Sequence, residues 1–83
     1  MYFVYLLISK NNKGIKSYVG YTNNLKERVN KHNSNKGAKS TKGRKWRLAY
    51  KKKFKDKSKA MKFEYFVKKN KKMRKKIKDN YVW

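Results

Sequence analysis

The chain has 83 residues and a formal net charge of +23, from 27 Lys and Arg against four Asp and Glu. This length suits one domain, residues 1–83, with a modest core. Without cysteine the chain can form neither disulfides nor thiolate zinc sites. One histidine and four carboxylates also make a closed structural metal site unexpected. The charge indicates a polyanionic partner, with nucleic acid first and an anionic membrane second.

The first apolar run, Met1–Ile8, predicts a central strand. Its even-numbered residues would face one side and Phe3, Tyr5 and Leu7 the other, so both sides are apolar and helices should cover each of them. No basic segment precedes the run and no small-residue cleavage site follows it, so it is not expected to be a signal peptide. It is also too short to span a bilayer. We therefore predict a cytoplasmic protein without a membrane partner, and association with an anionic membrane surface stays a distant third alternative.

A second strand and a first helix are predicted next. The turn Ser9–Gly14 would return the chain antiparallel into a strand at Lys16–Tyr21. Asn24 and Glu27 have the spacing of a capping box, so a helix should begin there and continue over Leu25–Asn33. Within Lys16–Tyr21, Gly20 would let another backbone or a phosphate come close.

Arg28 and His32 lie one turn apart at the edge of the apolar face of this helix. They would point toward the preceding strand and converge with Tyr18. On spacing alone, such a pair is more often an ion-pair or core partner than a catalytic group.

The segment Asn33–Lys45 contains almost no apolar residue and is predicted to be an exposed loop. Its basic residues could contact a phosphate backbone, or the loop could be a solvated connection, and the two readings are equally supported. The candidate contacts are Lys39, Lys42 and Arg44. Alternation then predicts an edge strand over Trp46–Phe54, with these residues on one side: Trp46, Leu48, Tyr50 and Phe54.

A second helix would be capped by Asp56 or Ser58, with Ala60, Phe63 and Val67 facing inward and Glu64 beside them. A break near Asn70 and a third short helix account for the displaced stripe that follows. The predicted fold is thus α+β, a small three-stranded antiparallel sheet flanked by helices in the order ββαβαα.

Several short motifs occur in one order along the chain. They are Val4-Tyr5-Leu6, Tyr18-Val19-Gly20, Arg28 with His32, residues 37–44, residues 46–50, and residues 60–64 followed by Lys68. This succession resembles the GIY-YIG nuclease domain, and most closely its small stand-alone bacterial branch. The chain departs from the pattern at Val4, where the family name has glycine, and at Tyr21, where some members carry lysine.

The resemblance implies an endonuclease that uses a single Mg²⁺ or Mn²⁺ ion bound by Glu64. Arg28 would stabilise charge on the phosphoryl oxygens. Tyr18 leads as the group that activates or positions the attacking water, with Tyr5 close by. His32 would hydrogen-bond a tyrosine or a phosphate, or share the role of base, and the choice between Tyr18 and His32 stays open.

Of the nucleic acids, DNA is favoured over RNA as the substrate. Branched, flapped or single-stranded DNA and a role in repair follow from the same resemblance. Lys68 and Gly20 join the candidate nucleic-acid contacts. The alternative is a non-catalytic, basic nucleic-acid-binding protein that keeps the nuclease fold. Neither reading identifies a protein partner subunit.

Overall fold

An antiparallel sheet of three strands positions the remaining elements. The computed structural model describes every residue from Met1 to Trp83. The strands are β1 (Tyr2–Asn11), β2 (Gly14–Thr22) and β3 (Arg47–Phe54), and their order in the sheet is β2-β1-β3. The central position of β1 and the edge position of β3 are therefore confirmed.

Three helices complete the predicted order ββαβαα: α1 (Leu25–Asn33), α2 (Lys57–Lys69) and α3 (Lys71–Asn80). A short 3₁₀ turn, Lys39–Thr41, lies between α1 and β3. None of the helices is long and apolar enough to cross a membrane.

Side-chain caps set the helix boundaries. The Asn24 side chain accepts from the backbone N–H of Glu27 at the start of α1, and the Asp56 side chain caps α2 in the same way. Asn70 ends α2 and caps α3, where its side chain accepts from the N–H of Met73 at 3.0 Å. The predicted break near Asn70 is therefore present.

The alternation of β1 divides the core between the two faces of the sheet. Val4, Leu6 and Ile8 pack with residues of α2 on one face. On the other face, Tyr5 and Leu7 pack with Trp46 and with the apolar side of α1. Helices therefore cover both faces, as the apolar pattern of β1 predicts.

Strand β3 differs from its prediction. Trp46, Leu48, Tyr50 and Phe54 were expected on one side, and this is wrong. Leu48 pairs with Leu7 and Tyr50 pairs with Leu6, so Ala49 is an extra residue in β3. This β-bulge shifts the alternation, which places Trp46 and Leu48 on the α1 face and Tyr50 on the face of α2 and α3.

The loop after α1 is also more ordered than its composition indicates. Thr41 is completely buried, and the indole N–H of Trp46 donates to the Thr41 carbonyl at 2.9 Å. The Asn33 side chain brackets the Trp46 backbone, accepting from its N–H at 2.6 Å and donating to its carbonyl at 3.1 Å. A hydroxyl can be buried when its partners are local, which composition does not reveal.

Candidate active site

Two strands and one helix bring four predicted site residues together. Tyr5 pairs with Gly20 across the sheet and Tyr18 pairs with Leu7, so both tyrosines point to the α1 face. The ring centroid of His32 lies 4.8 Å from that of Tyr18 and 5.9 Å from that of Tyr5. We call Tyr5, Tyr18, Arg28 and His32 the tyrosine–histidine cluster.

A chain of buried hydrogen bonds runs from the cluster into the loop. Tyr5 Oη lies 3.0 Å from His32 Nε2, and His32 Nδ1 lies 2.9 Å from Thr41 Oγ1. The Thr41 hydroxyl in turn donates to the Ala38 carbonyl at 2.7 Å. Tyr5 is 1% exposed, and His32 and Thr41 have no exposed surface. These three side chains therefore form a buried network beneath the site.

Two glycines make room for this network. A Cβ at Gly20 would lie 2.5 Å from Tyr5 Oη, and a Cβ at Gly37 would overlap the ring of His32. The gap at Gly20 is therefore filled from within by Tyr5, whereas the sequence indicated an approaching backbone or phosphate. Gly37 carried no comparable signal in the sequence, because it stands in a loop.

Burial and charge set the protonation states in the cluster. Burial raises the pKa of the Tyr5 hydroxyl, while the adjacent Arg28 guanidinium acts in the opposite direction and the Glu64 carboxylate adds to the rise. The Tyr5 hydroxyl raises the pKa of Arg28. Burial, helped by the positive charge of Arg28, lowers the pKa of His32. At neutral pH His32 is therefore neutral and Arg28 is charged.

The Glu64 carboxylate is close enough to this cluster for its negative charge to raise the pKa of Tyr5. Its side chain is 16% exposed and its Oε1 lies 3.4 Å from Lys68 Nζ. No three residues of the His, Cys, Asp and Glu types cluster as a ready metal site. Mg²⁺ commonly binds through one or two carboxylates, with waters and substrate phosphates completing its shell. The donors therefore fit one divalent ion at Glu64 and do not fit a carboxylate-rich two-metal site.

A cleft of about 380 Å³ lies where β1 begins and β2 ends. Its walls include Tyr2, Tyr21, Asn24, Arg28, Lys31 and Lys57. Arg28 belongs to both the cleft and the tyrosine–histidine cluster. Lys57 precedes Glu64 by two helical turns and so shares a face of α2 with it. Lys31 and Lys57 were not predicted, because among 27 basic residues no local pattern distinguishes them.

The predicted nucleic-acid contacts have different surroundings. Lys39 and Lys42 are exposed. Arg44 donates from Nε to the Ser9 hydroxyl and from Nη2 to the Ser9 carbonyl, both at 3.0 Å, so it fastens the loop to β1. Lys68 pairs with Glu64. Contact between these side chains and nucleic acid stays a prediction.

Two tyrosines, an arginine and a histidine thus lie together on one face of a small antiparallel sheet, and Glu64 lies on α2. Residues 1–78 match the family model of the GIY-YIG catalytic domain. The chain therefore belongs to the GIY-YIG nuclease family, which confirms the resemblance found in its motifs.

Bacterial UPF0213 proteins are among its relatives. It is 44% identical over 68 residues to a UPF0213 protein of Oceanobacillus iheyensis, covering 81% of this chain and 76% of that protein. It is 44% identical over 69 residues to UPF0213 protein YazA of Bacillus subtilis, covering 82% and 67%. A solution NMR structure of a UPF0213 protein from Bacillus halodurans is 39% identical and covers 89% of this chain and 79% of its own, with a TM-score of 0.46.

Proposed function

We propose that this protein is a metal-dependent endonuclease that hydrolyses phosphodiester bonds of DNA. The observation that carries the proposal is the position of Arg28, which joins the basic cleft to the tyrosine–histidine cluster. A phosphate in the cleft would meet a charged guanidinium backed by a buried hydrogen-bonded network. That arrangement suits the stabilisation of charge on a phosphoryl group.

The cations of the cleft bind the sugar–phosphate backbone. Lys31 and Lys57 line the same cavity as Arg28, so neighbouring phosphates can be held on either side of the reacting one. Arg28 presents a planar set of N–H donors that can bind two phosphoryl oxygens together. Lys31 also pairs with Glu27 at 3.2 Å, which leaves Lys57 as the less neutralised lysine.

The partial exposure of Tyr18 supports a direct contact between this residue and the substrate. Tyr5 and His32 are almost fully buried, whereas Tyr18 is partly exposed, so its hydroxyl is the one that can hold the attacking water. That hydroxyl oxygen would accept a hydrogen bond from the water and orient it toward the phosphate. The water oxygen then bonds to phosphorus while the bond from phosphorus to the departing sugar oxygen breaks, and the proton that the water gives up ends on that sugar oxygen. Tyr5 and His32 support this site from below.

Glu64 is the residue that would bind a divalent ion, Mg²⁺ or Mn²⁺. When bound, the ion supplies positive charge against the negative charge that accumulates on the phosphate oxygens. Lys68 pairs with the Glu64 carboxylate, and this ion pair would open when the carboxylate binds the ion. The Glu64 carboxylate and Arg28 both act on the pKa of Tyr5, so an ion held by Glu64 would add its charge beside the tyrosine–histidine cluster.

The contacts available in the cleft favour recognition of backbone shape over base sequence. Its lining is dominated by cations and small polar side chains, which bind phosphates and sugars. We therefore propose structure-specific or single-strand-preferring cleavage, DNA before RNA, and a role related to repair.

Cleavage assays with labelled substrates test this function. We would compare duplex, single-stranded, flapped, nicked and branched DNA with RNA, in Mg²⁺, Mn²⁺ or EDTA, using wild type, Glu64→Gln and Arg28→Ala. Cleavage should require metal and fall on the order of 10²- to 10³-fold in Arg28→Ala, because a preorganised donor to the phosphoryl oxygens is lost.

Asp79→Asn and Arg47→Ala are matched controls, because Asp79 pairs with a lysine as Glu64 does and Arg47 is exposed away from the cluster. Both controls should cut normally. A wild type that binds every substrate without cutting any would instead identify a nucleic-acid-binding protein on the nuclease fold.

A further inference from the structure

The direction of one hydrogen bond fixes the directions of the others in the buried network. Thr41 Oγ1 lies 2.7 Å from the Ala38 carbonyl oxygen, which can only accept. The single hydroxyl proton of Thr41 must therefore point at Ala38. Because that proton is used, Thr41 Oγ1 can only accept from His32 Nδ1, 2.9 Å away.

The tautomer of His32 follows. In the neutral ring only one nitrogen carries a proton, and here it is Nδ1. Nε2 is left with a lone pair, so across the 3.0 Å contact the Tyr5 hydroxyl donates to Nε2. The protons of the network all point away from the reaction site, toward the loop.

This polarity decides what Tyr5 presents to Arg28. With its proton directed at His32, the Tyr5 oxygen turns lone pairs toward the guanidinium and can accept from it. The opposite tautomer would place a proton on Nε2, force Tyr5 to accept from His32, and turn the Tyr5 proton toward a cation. That arrangement would repel Arg28.

We infer that Thr41 is a positioning residue of the site: by accepting from His32 Nδ1–H, it fixes the tautomer that makes Tyr5 an acceptor for Arg28. Thr41 touches no substrate and acts through His32 and Tyr5. Its consequence for cleavage rests on the proposed nuclease function, but its effect on His32 and Arg28 does not.

The chain has one histidine, so the imidazole ¹⁵N signals of the metal-free protein report the tautomer without ambiguity. Long-range ¹H–¹⁵N correlation spectra at neutral pH should show the Nδ1–H form in wild type. In Thr41→Val, which keeps the shape and removes the hydroxyl, this form should be lost. The Nε–H signal of Arg28, assigned with Arg28→Lys, should shift in the same variant.

Thr41→Ser keeps a hydroxyl and should retain the wild-type tautomer, while Ser40→Ala removes an exposed neighbouring hydroxyl and should change nothing. Should Thr41→Val fail to fold, the wild-type tautomer and its retention in Thr41→Ser still decide the first step. An Nε2–H tautomer in wild type, or an unchanged Arg28 signal in folded Thr41→Val, overturns the inference.

Cleavage gives the final readout. If the wild type cuts DNA, Thr41→Val should lower the rate at which the protein–DNA complex cleaves its substrate, without weakening DNA binding. An unchanged cleavage rate would refute the positioning role. If the wild type cuts nothing, the proposed function fails while the spectra still decide the assignment of Thr41.

Discussion

At the scale of single residues, the neutral ring of His32 is fully buried. Burial lowers its pKa below the ordinary value of about 6.5, so the folded state binds fewer protons than the unfolded state below that pH. The free energy of unfolding therefore has its full value above about pH 6.5 and decreases as the pH falls toward the lowered pKa of His32. Each unit of lowering corresponds to about 1.4 kcal/mol.

We expect the melting temperature of the wild type to fall between about pH 6.5 and 5, a window in which ordinary Asp and Glu stay mostly ionised. His32→Gln should be less stable at pH 7 but flat across this window. Thermal unfolding followed by circular dichroism would check both curves. A wild-type melting temperature that is constant from pH 7 to 5 would contradict the assignment.

The residues that converge could be predicted where the spacing is local. Arg28 and His32 are one helical turn apart, and Tyr18 lies in the strand before them, so a strand followed by a helix already brings them together. Thr41 and Gly37 could not be predicted, since their roles depend on how a loop folds back on His32. The helical or strand periodicity of a sequence gives no indication of such a loop contact.

At the scale of elements, Asn70 separates two helices that would otherwise be continuous. Its side chain accepts from the Met73 N–H at the start of α3. Asn70→Ala should lower the free energy of unfolding by about 1 kcal/mol, because the first turn of α3 loses its cap. Chemical denaturation would measure the change.

Asn70→Asp can cap α3 and should cost less than alanine. Asn30→Ala is the matched control, because Asn30 is exposed within α1 and should tolerate alanine. Equal effects of the two alanine substitutions would argue against the cap.

The boundaries of α1 and the break at Asn70 were predictable, because helix caps and helical spacing depend only on residues that are close together in the sequence. The side of the sheet that each β3 residue faces was not predictable. A bulge shifts the pairing of the strand by one residue, and the apolar–polar alternation of the sequence does not show where the shift occurs. Ala49 is small and its neighbours fit either face, so only pairing with β1 reveals the shift.

At the scale of the whole molecule, the four acidic side chains are all engaged. Glu27, Glu64 and Asp79 each pair with a lysine four positions away, and Asp56 caps α2. Little negative charge is left to balance the remaining lysines. The basic surface is therefore available to phosphates, and DNA binding should weaken steeply as salt increases.

Lys57→Gln should reduce the slope of log affinity against log salt by about 0.9 for duplex DNA or about 0.7 for a single strand, since one phosphate contact is lost. Lys13→Gln, in the hairpin turn far from the cleft, should leave the slope unchanged. Fluorescence anisotropy titrations at several salt concentrations would compare them. Identical slopes for the two variants would show that Lys57 makes no such contact.

The bulge at Ala49 also bears on which length changes the fold can tolerate. Leu48 and Tyr50 already face opposite sides of the sheet, as adjacent residues of a regular strand do. Losing Ala49 would therefore leave every other side chain of β3 on its present face. Losing a paired residue such as Lys51 would instead move one half of the strand to the wrong face. Relatives one residue shorter in β3 can thus keep this core intact, provided that the missing residue is the bulged one.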